Sequence, residues 1–177
     1  MTSQPVFKKI FASLQLTMLA FVLCAPLAGH AQMFQESYDW KEGETPPPPA
    51  YDTARLLTFK VNANPSVVYG VDPASISISR IDSVVRYVMV ATSASGNRNV
   101  IYEGLRCATG EFKTYARQTG GQWNPVSSPE WRSVFDQMPS PHPLVFAKAG
   151  ACDGRAPAGT VAEIEGKLKT QRQYMDY

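Results

Sequence analysis

The sequence predicts an α+β domain: an antiparallel meander sheet of about five strands, with two or three short C-terminal helices packed on one face. From Leu56 to Gln118 short apolar runs alternate with polar residues at period two, between turn residues, as in an antiparallel sheet. After Gly120-Gly121 the period lengthens to that of a helix. Strands first and helices afterwards is the α+β order, which places the helices together.

The strands follow in order. Leu56 to Val61 is the first, and Ser75 to Ser79 alternates with Ile76 and Ile78 on one side. Val84 to Ser93 is apolar on both sides, which places it centrally in the sheet. Ser95-Gly96-Asn97 turns the chain, Asn99 to Cys107 returns, Ala108-Thr109-Gly110 turns again, and Glu111 to Gln118 closes the meander. Short links make these strands neighbours in space.

The first helix is expected from Ser128 as N-cap and Pro129 at the first helical position. Trp131, Val134, Phe135 and Met138 then fall at i, i+3, i+4 and i+7 before Pro139. A second covers Pro143 to Ala151 and carries Cys152 at its end. A third starts at Thr160, where Thr160 and Glu163 have capping-box spacing and Val161, Ile164 and Leu168 share a face. Gly166 weakens it, and the polar tail 171–177 is expected to fray.

Residues 1–31 read as an export signal: Lys8 and Lys9, an apolar core from Leu14 to Leu27, and a small-residue cleavage site ending at Ala31. The core is shorter than the roughly 20 residues of a spanning helix, and the mature chain is expected to begin at Gln32. Leu23 stands where a lipoprotein signal wants Gly, Ala or Ser, which argues against acylation of Cys24. No later stretch is apolar for long enough to span a membrane. Residues 32–54 form an extended, acidic and proline-rich segment. Its run Pro46-Pro47-Pro48-Pro49 is stiff because each ring fixes its own φ, and Trp40 ahead of it is expected to pack back on the domain. Residues 55–170 are then a single α+β domain.

Of the 17 Lys and Arg, two precede Gln32, and none of the 15 Asp and Glu do, so the mature charge is 15 minus 15, or zero. A neutral chain without a Lys/Arg block offers no electrostatic footprint for nucleic acid or anionic lipid. Of three cysteines, Cys24 leaves with the signal. Cys107 and Cys152 remain as an even pair in an oxidising space and are expected to be joined. The competing use, metal or redox chemistry, lacks both a C-x-x-C and a His cluster.

Chemistry-bearing patterns are few. His142 is the one histidine left after processing and lies in Ser-Pro-His-Pro, where a loop or helix-cap role is expected. Nothing resembles a calcium loop, a G-x-S-x-G elbow or an S-x-x-K, and no cofactor or metal is expected. The candidate polar cluster is Arg86, Tyr102, Glu103, Arg106 and Tyr115. Glu103 shares its strand face with Ile101 and Leu105, so its carboxylate needs a partner, for which cross-strand Arg86 or the Tyr115 hydroxyl is available. The cluster is either a structural ion pair or a pocket whose Arg and Glu hold a ligand.

Val84-Val85-Arg86-Tyr87, Ser93-Ala94-Ser95-Gly96, Asn99-Val100, Tyr102-Glu103-Gly104-Leu105-Arg106-Cys107, Tyr115-Ala116 and Trp123, with Trp40 and the prolines upstream, resemble the cryptic neisserial protein-like family. The resemblance spans roughly Trp40 to Cys152 and is sharpest in the Tyr-Glu-Gly-Leu-Arg-Cys block. It implies a small exported protein of the Gram-negative envelope and carries over no catalytic residue. The expected function is that of a soluble periplasmic, non-enzymatic protein that binds or supports an envelope component, protein or glycan. The alternatives are an envelope hydrolase using Glu103 with Arg86 or Arg106, and a scaffold recruited through residues 35–51.

Overall fold

The computed structural model describes residues 39–62 and 65–175, with side chains through Thr170. The expected signal, its cleavage point between Ala31 and Gln32, and Cys24 lie outside the described residues. From Trp40 onward the chain forms one unit around a mixed-length antiparallel sheet.

Strands β1 (Leu57–Lys60), β2 (Val67–Val71), β4 (Val84–Ser93), β5 (Arg98–Arg106), β6 (Glu111–Thr119) and β7 (Gln122–Pro125) lie side by side in that order. Two short strands complete the rows. β3 (Ser77–Ile78) pairs with the first half of β4, in line with β2, which pairs with its second half. β8 (Arg132–Ser133) pairs with the start of β6, in line with β7 at its end. The apolar, two-faced β4 sits in the middle of the sheet, and Val84 through Val90 is buried without interruption.

The strand count departs from five: among the described residues the main sheet has eight strands, and a separate hairpin pairs β9 (Cys152–Asp153) with β10 (Ala156–Pro157). The missed β2 contains Gly70 and follows Asn-Ala-Asn-Pro, so its turn signals outweigh its five residues of strand pattern.

The helix expected over 129–138 does not form. Trp131 turns to the N-terminal segment, where its indole donates to Glu42, and Arg132–Ser133 pairs with β6. Val134 is buried while Phe135 is 70% exposed, so the apparent stripe never shares one face. Helical structure comes later, as α1 (His142–Phe146), a π-type turn at Ala147–Ala151, and α2 (Val161–Met175). α2 opens as its spacing predicts: Thr160 Oγ1 accepts from the Glu163 amide at 3.1 Å, and the Glu163 carboxylate accepts from the Gly159 amide at 3.0 Å. It runs through Met175, into the residues read as a fraying tail.

The helices cover one face of the sheet. There Phe59, Tyr69, Val85, Tyr87, Met89, Ile101 and Leu105 meet Phe146, Ile164 and Leu168 in the main core. The Phe146 ring lies 4.4 Å from Tyr87 and 6.1 Å from Phe59. Gly150 reaches φ 130°, and a Cβ there would meet the Lys167 side chain at 2.6 Å, so only glycine lets the turn approach α2 this closely. The other face carries a smaller cluster of Val88, Val90, Val100, Tyr102, Tyr115 and Ala116, capped by Tyr51, Leu56 and Trp123.

The Cys107–Cys152 disulfide is formed, with Cα atoms 5.7 Å apart, and ties the end of β5 to the residue that follows the helical turn. Among the described residues no helix is long and apolar enough to cross a membrane.

Candidate functional site

Register decides which polar side chains can meet. Arg86 lies opposite Gly104 and Tyr87 opposite Glu103, so Arg86, Tyr102 and Arg106 project from one face and Glu103 from the other. The five residues of the candidate cluster are therefore split by the sheet, and the pairing of Glu103 with Arg86 or Arg106 is excluded. The β5–β6 register slips between Tyr102 and Glu103, leaving Tyr115 as the extra residue of a bulge. The bulge turns Tyr115 onto the face of Tyr102, with ring centroids 5.3 Å apart. Gly104 makes room for it: a Cβ would lie 2.9 Å from the Tyr115 ring carbons Cε2 and Cζ.

On this outer face a carboxylate from the N-terminal segment becomes the hub. Glu42 accepts from the Tyr115 hydroxyl at 2.6 Å, Lys113 Nζ at 2.8 Å and the Trp131 indole at 3.1 Å, with Arg86 Nη2 at 3.5 Å. Behind it Asp82 and Arg86, both almost fully buried, pair at 2.7 Å. Asp82 also accepts from the amides of Gly43 at 2.9 Å and Val84 at 3.1 Å, while its carbonyl accepts from the Trp40 indole at 2.9 Å. Arg106 stacks on Trp40, its guanidinium carbon 3.8 Å from the ring centroid, and pairs with Glu111 at 3.2 Å. Among the described residues the Nε groups of Arg86 and Arg106 are buried without an acceptor.

Burial works to raise the carboxyl pKa of both Glu42 and Asp82, but these donors and cations outweigh it. Glu42 ends below its usual value, and Asp82 far below, held there chiefly by Arg86. Burial and the hydrogen bond to Glu42 drive the Tyr115 hydroxyl far above its ordinary range. The cluster is thus an ionic lock whose carboxylates are fully engaged: Glu42 and Asp82 stay charged and Tyr115 stays neutral.

On the helix face Glu103 is 1% exposed and takes three other donors or partners. These are the Tyr87 hydroxyl at 3.1 Å, the Thr114 hydroxyl at 3.2 Å and His142 Nε2 at 2.9 Å. His142 Nδ1 lies 3.0 Å from Ser140 Oγ, which donates to the Tyr69 hydroxyl at 2.7 Å, and the imidazole stacks on the Tyr69 ring at 5.4 Å. Sequence reasoning placed His142 at a helix cap and left Glu103 without it. The available signal was one buried-strand carboxylate and, outside residues 1–31, one histidine, but 39 residues separate them and only the docking of α1 joins them.

A third feature is a cavity of about 680 Å³ beside the disulfide, walled by Leu105, Val134, Phe135, Leu144, Ala147 and Cys107–Cys152. It falls within the size range of small-molecule sites. Lys148 and Arg155 stand at it, and its lining includes no carboxylate. Among the described residues no group of His, Cys, Asp and Glu is arranged to hold a metal ion.

The sheet, the docked N-terminal segment and the disulfide occupy the region covered by the CNP1-like family model, which matches residues 35–169. The chain belongs to that family. Neither a curated protein nor a solved structure matches it.

Proposed function

We propose that the protein is exported to the periplasm and acts there as a non-enzymatic envelope protein that binds a partner or small molecule. Support for the address comes from the signal-like residues 1–31 and from the Cys107–Cys152 bond, since structural disulfides persist in oxidising compartments. Support for binding comes from the cavity beside that bond: it is open and apolar, whereas the charged groups of both polar clusters are consumed by one another. The cavity is the observation that carries the reading. Fractionation of cells expressing the tagged full chain tests it, with recovery in the osmotic-shock fluid as a species of the mass beginning at Gln32. Affinity capture from intact envelopes should then bring down a bound component. Unprocessed chain confined to the cytosol overturns the address, and empty capture counts against binding.

A second reading, hydrolysis, is favoured by the order Ser140–His142–Glu103, a hydroxyl, an imidazole and a buried carboxylate in hydrogen-bonding sequence. With the Ser140 hydroxyl turned from Tyr69 towards the imidazole, His142 would take its proton at Nδ1 while Glu103 stabilises the imidazolium through Nε2. A fluorophosphonate that labels Ser140, with labelling lost in Glu103→Gln while the fold is kept, selects this reading. An unlabelled wild type together with a lowered melting temperature for Glu103→Gln selects the structural role.

A further inference from the structure

The cavity beside the disulfide has a polarity that narrows what it takes. Its walls are mostly apolar side chains and the disulfide, with Thr109, Lys148 and Arg155 as its polar side chains, so a polar group of a ligand set against the apolar part would lose water without compensation. The charge at it is of one sign. Lys148 and Arg155 are exposed, and neither is paired with a carboxylate among the described residues. Arg155 is held in place by its Nε, which donates to the Ala108 carbonyl at 2.9 Å. The nearby Glu111 is occupied by Arg106 at 3.2 Å and by the Thr109 hydroxyl at 2.6 Å, so it does not neutralise them. Phe135 borders the cavity with 70% of its surface exposed, apolar area that a ligand seated there would cover.

We infer that this cavity binds a small anionic amphiphile, an acyl or aryl chain ending in a carboxylate, sulfonate or phosphate. The chain lies against Leu105, Val134 and Leu144, and the anionic group faces Lys148 and Arg155. This inference rests on the binding function proposed above and specifies its ligand class.

Isothermal titration of the purified full chain with decanoate and with decan-1-ol, below their aggregation limits, tests it. One equivalent of decanoate should bind saturably and at least tenfold more tightly than the alcohol, with a negative heat-capacity change from apolar burial. Charge reversal at the exposed positions, Lys148→Glu with Arg155→Glu, should weaken decanoate at least tenfold and leave decan-1-ol within a factor of two or three. Lys148→Glu alone, which breaks no side-chain hydrogen bond or ion pair among the described residues, should show part of the same loss. Equal affinity for acid and alcohol overturns the anionic class but keeps a binding cavity. Saturable binding unchanged by the reversals overturns this cavity as the site. Heat from neither ligand, in a protein whose thermal unfolding shows it folded, overturns the cavity reading altogether.

Discussion

Asp82 shows how much one side chain holds in this protein. Its carboxylate joins the Arg86 guanidinium and two backbone amides, and its backbone carbonyl accepts from the Trp40 indole. Replacement by alanine leaves Arg86 charged and buried, and removing one member of such a pair costs about 3 to 5 kcal/mol, read as a lower denaturant midpoint. The pH dependence follows in sign. The Asp82 and Glu42 carboxyls sit below their unfolded values, so their stabilisation is complete above the unfolded carboxylate pKa of about 4 and is lost as pH falls from there through the folded values. Urea midpoints should therefore drop on acidification below about pH 4, and Asp82→Asn should flatten that drop. Gly104 is the second sensitive position. Gly104→Ala drives a methyl into the Tyr115 ring and should cost about 1 to 3 kcal/mol by overpacking, measurable in the same titration.

Among the elements, the N-terminal segment changes character most. Composition reads it as a stiff acidic spacer, yet its described part is docked both at residues 40–43 and at Tyr51. Trp40, Glu42 and Gly43 engage the outer face, and the Tyr51 hydroxyl donates to Gln118 at 2.6 Å while its ring lies against Trp123. If residues 35–51 served only to recruit a partner, deleting them would leave the melting temperature nearly unchanged. The contacts predict instead a clear fall, because deletion strips Arg86, Lys113 and Tyr115 of their shared carboxylate. Thermal unfolding of the truncated chain decides between the two. The expected helix at 129–138 gives way to a related contact: Trp131 closes over Glu42 and the Trp40 ring, 5.5 Å away, and a ten-residue helix is marginal without such packing.

At the level of the molecule, the disulfide closes a loop of 45 residues between sheet and helices. By chain entropy such a closure contributes about 4 kcal/mol, a large share of the roughly 5 to 15 kcal/mol by which domains of this size are stable. The Cys107→Ser, Cys152→Ser double variant should unfold at markedly lower denaturant. The even pair of cysteines outside residues 1–31 made this bond legible, and period-two alternation made β1, β3, β4, β5 and β6 legible, because both are properties of the chain itself. The short strands β2, β7 and β8 were not, since two to five residues with glycine or proline in or near them carry too little local preference to outweigh turn signals.

What the amino-acid order fixed unaided was composition, local periodicity and the sulfur pair, and hence an antiparallel sheet followed by helices. Which charges meet was settled only in three dimensions. A strand alternates its side chains, so a register and one bulge were enough to send Glu103 to His142 and Arg86 to Asp82 and Glu42, on opposite sides of a sheet. Those partners stand as far as 44 residues apart along the chain, a distance over which no local pattern carries information.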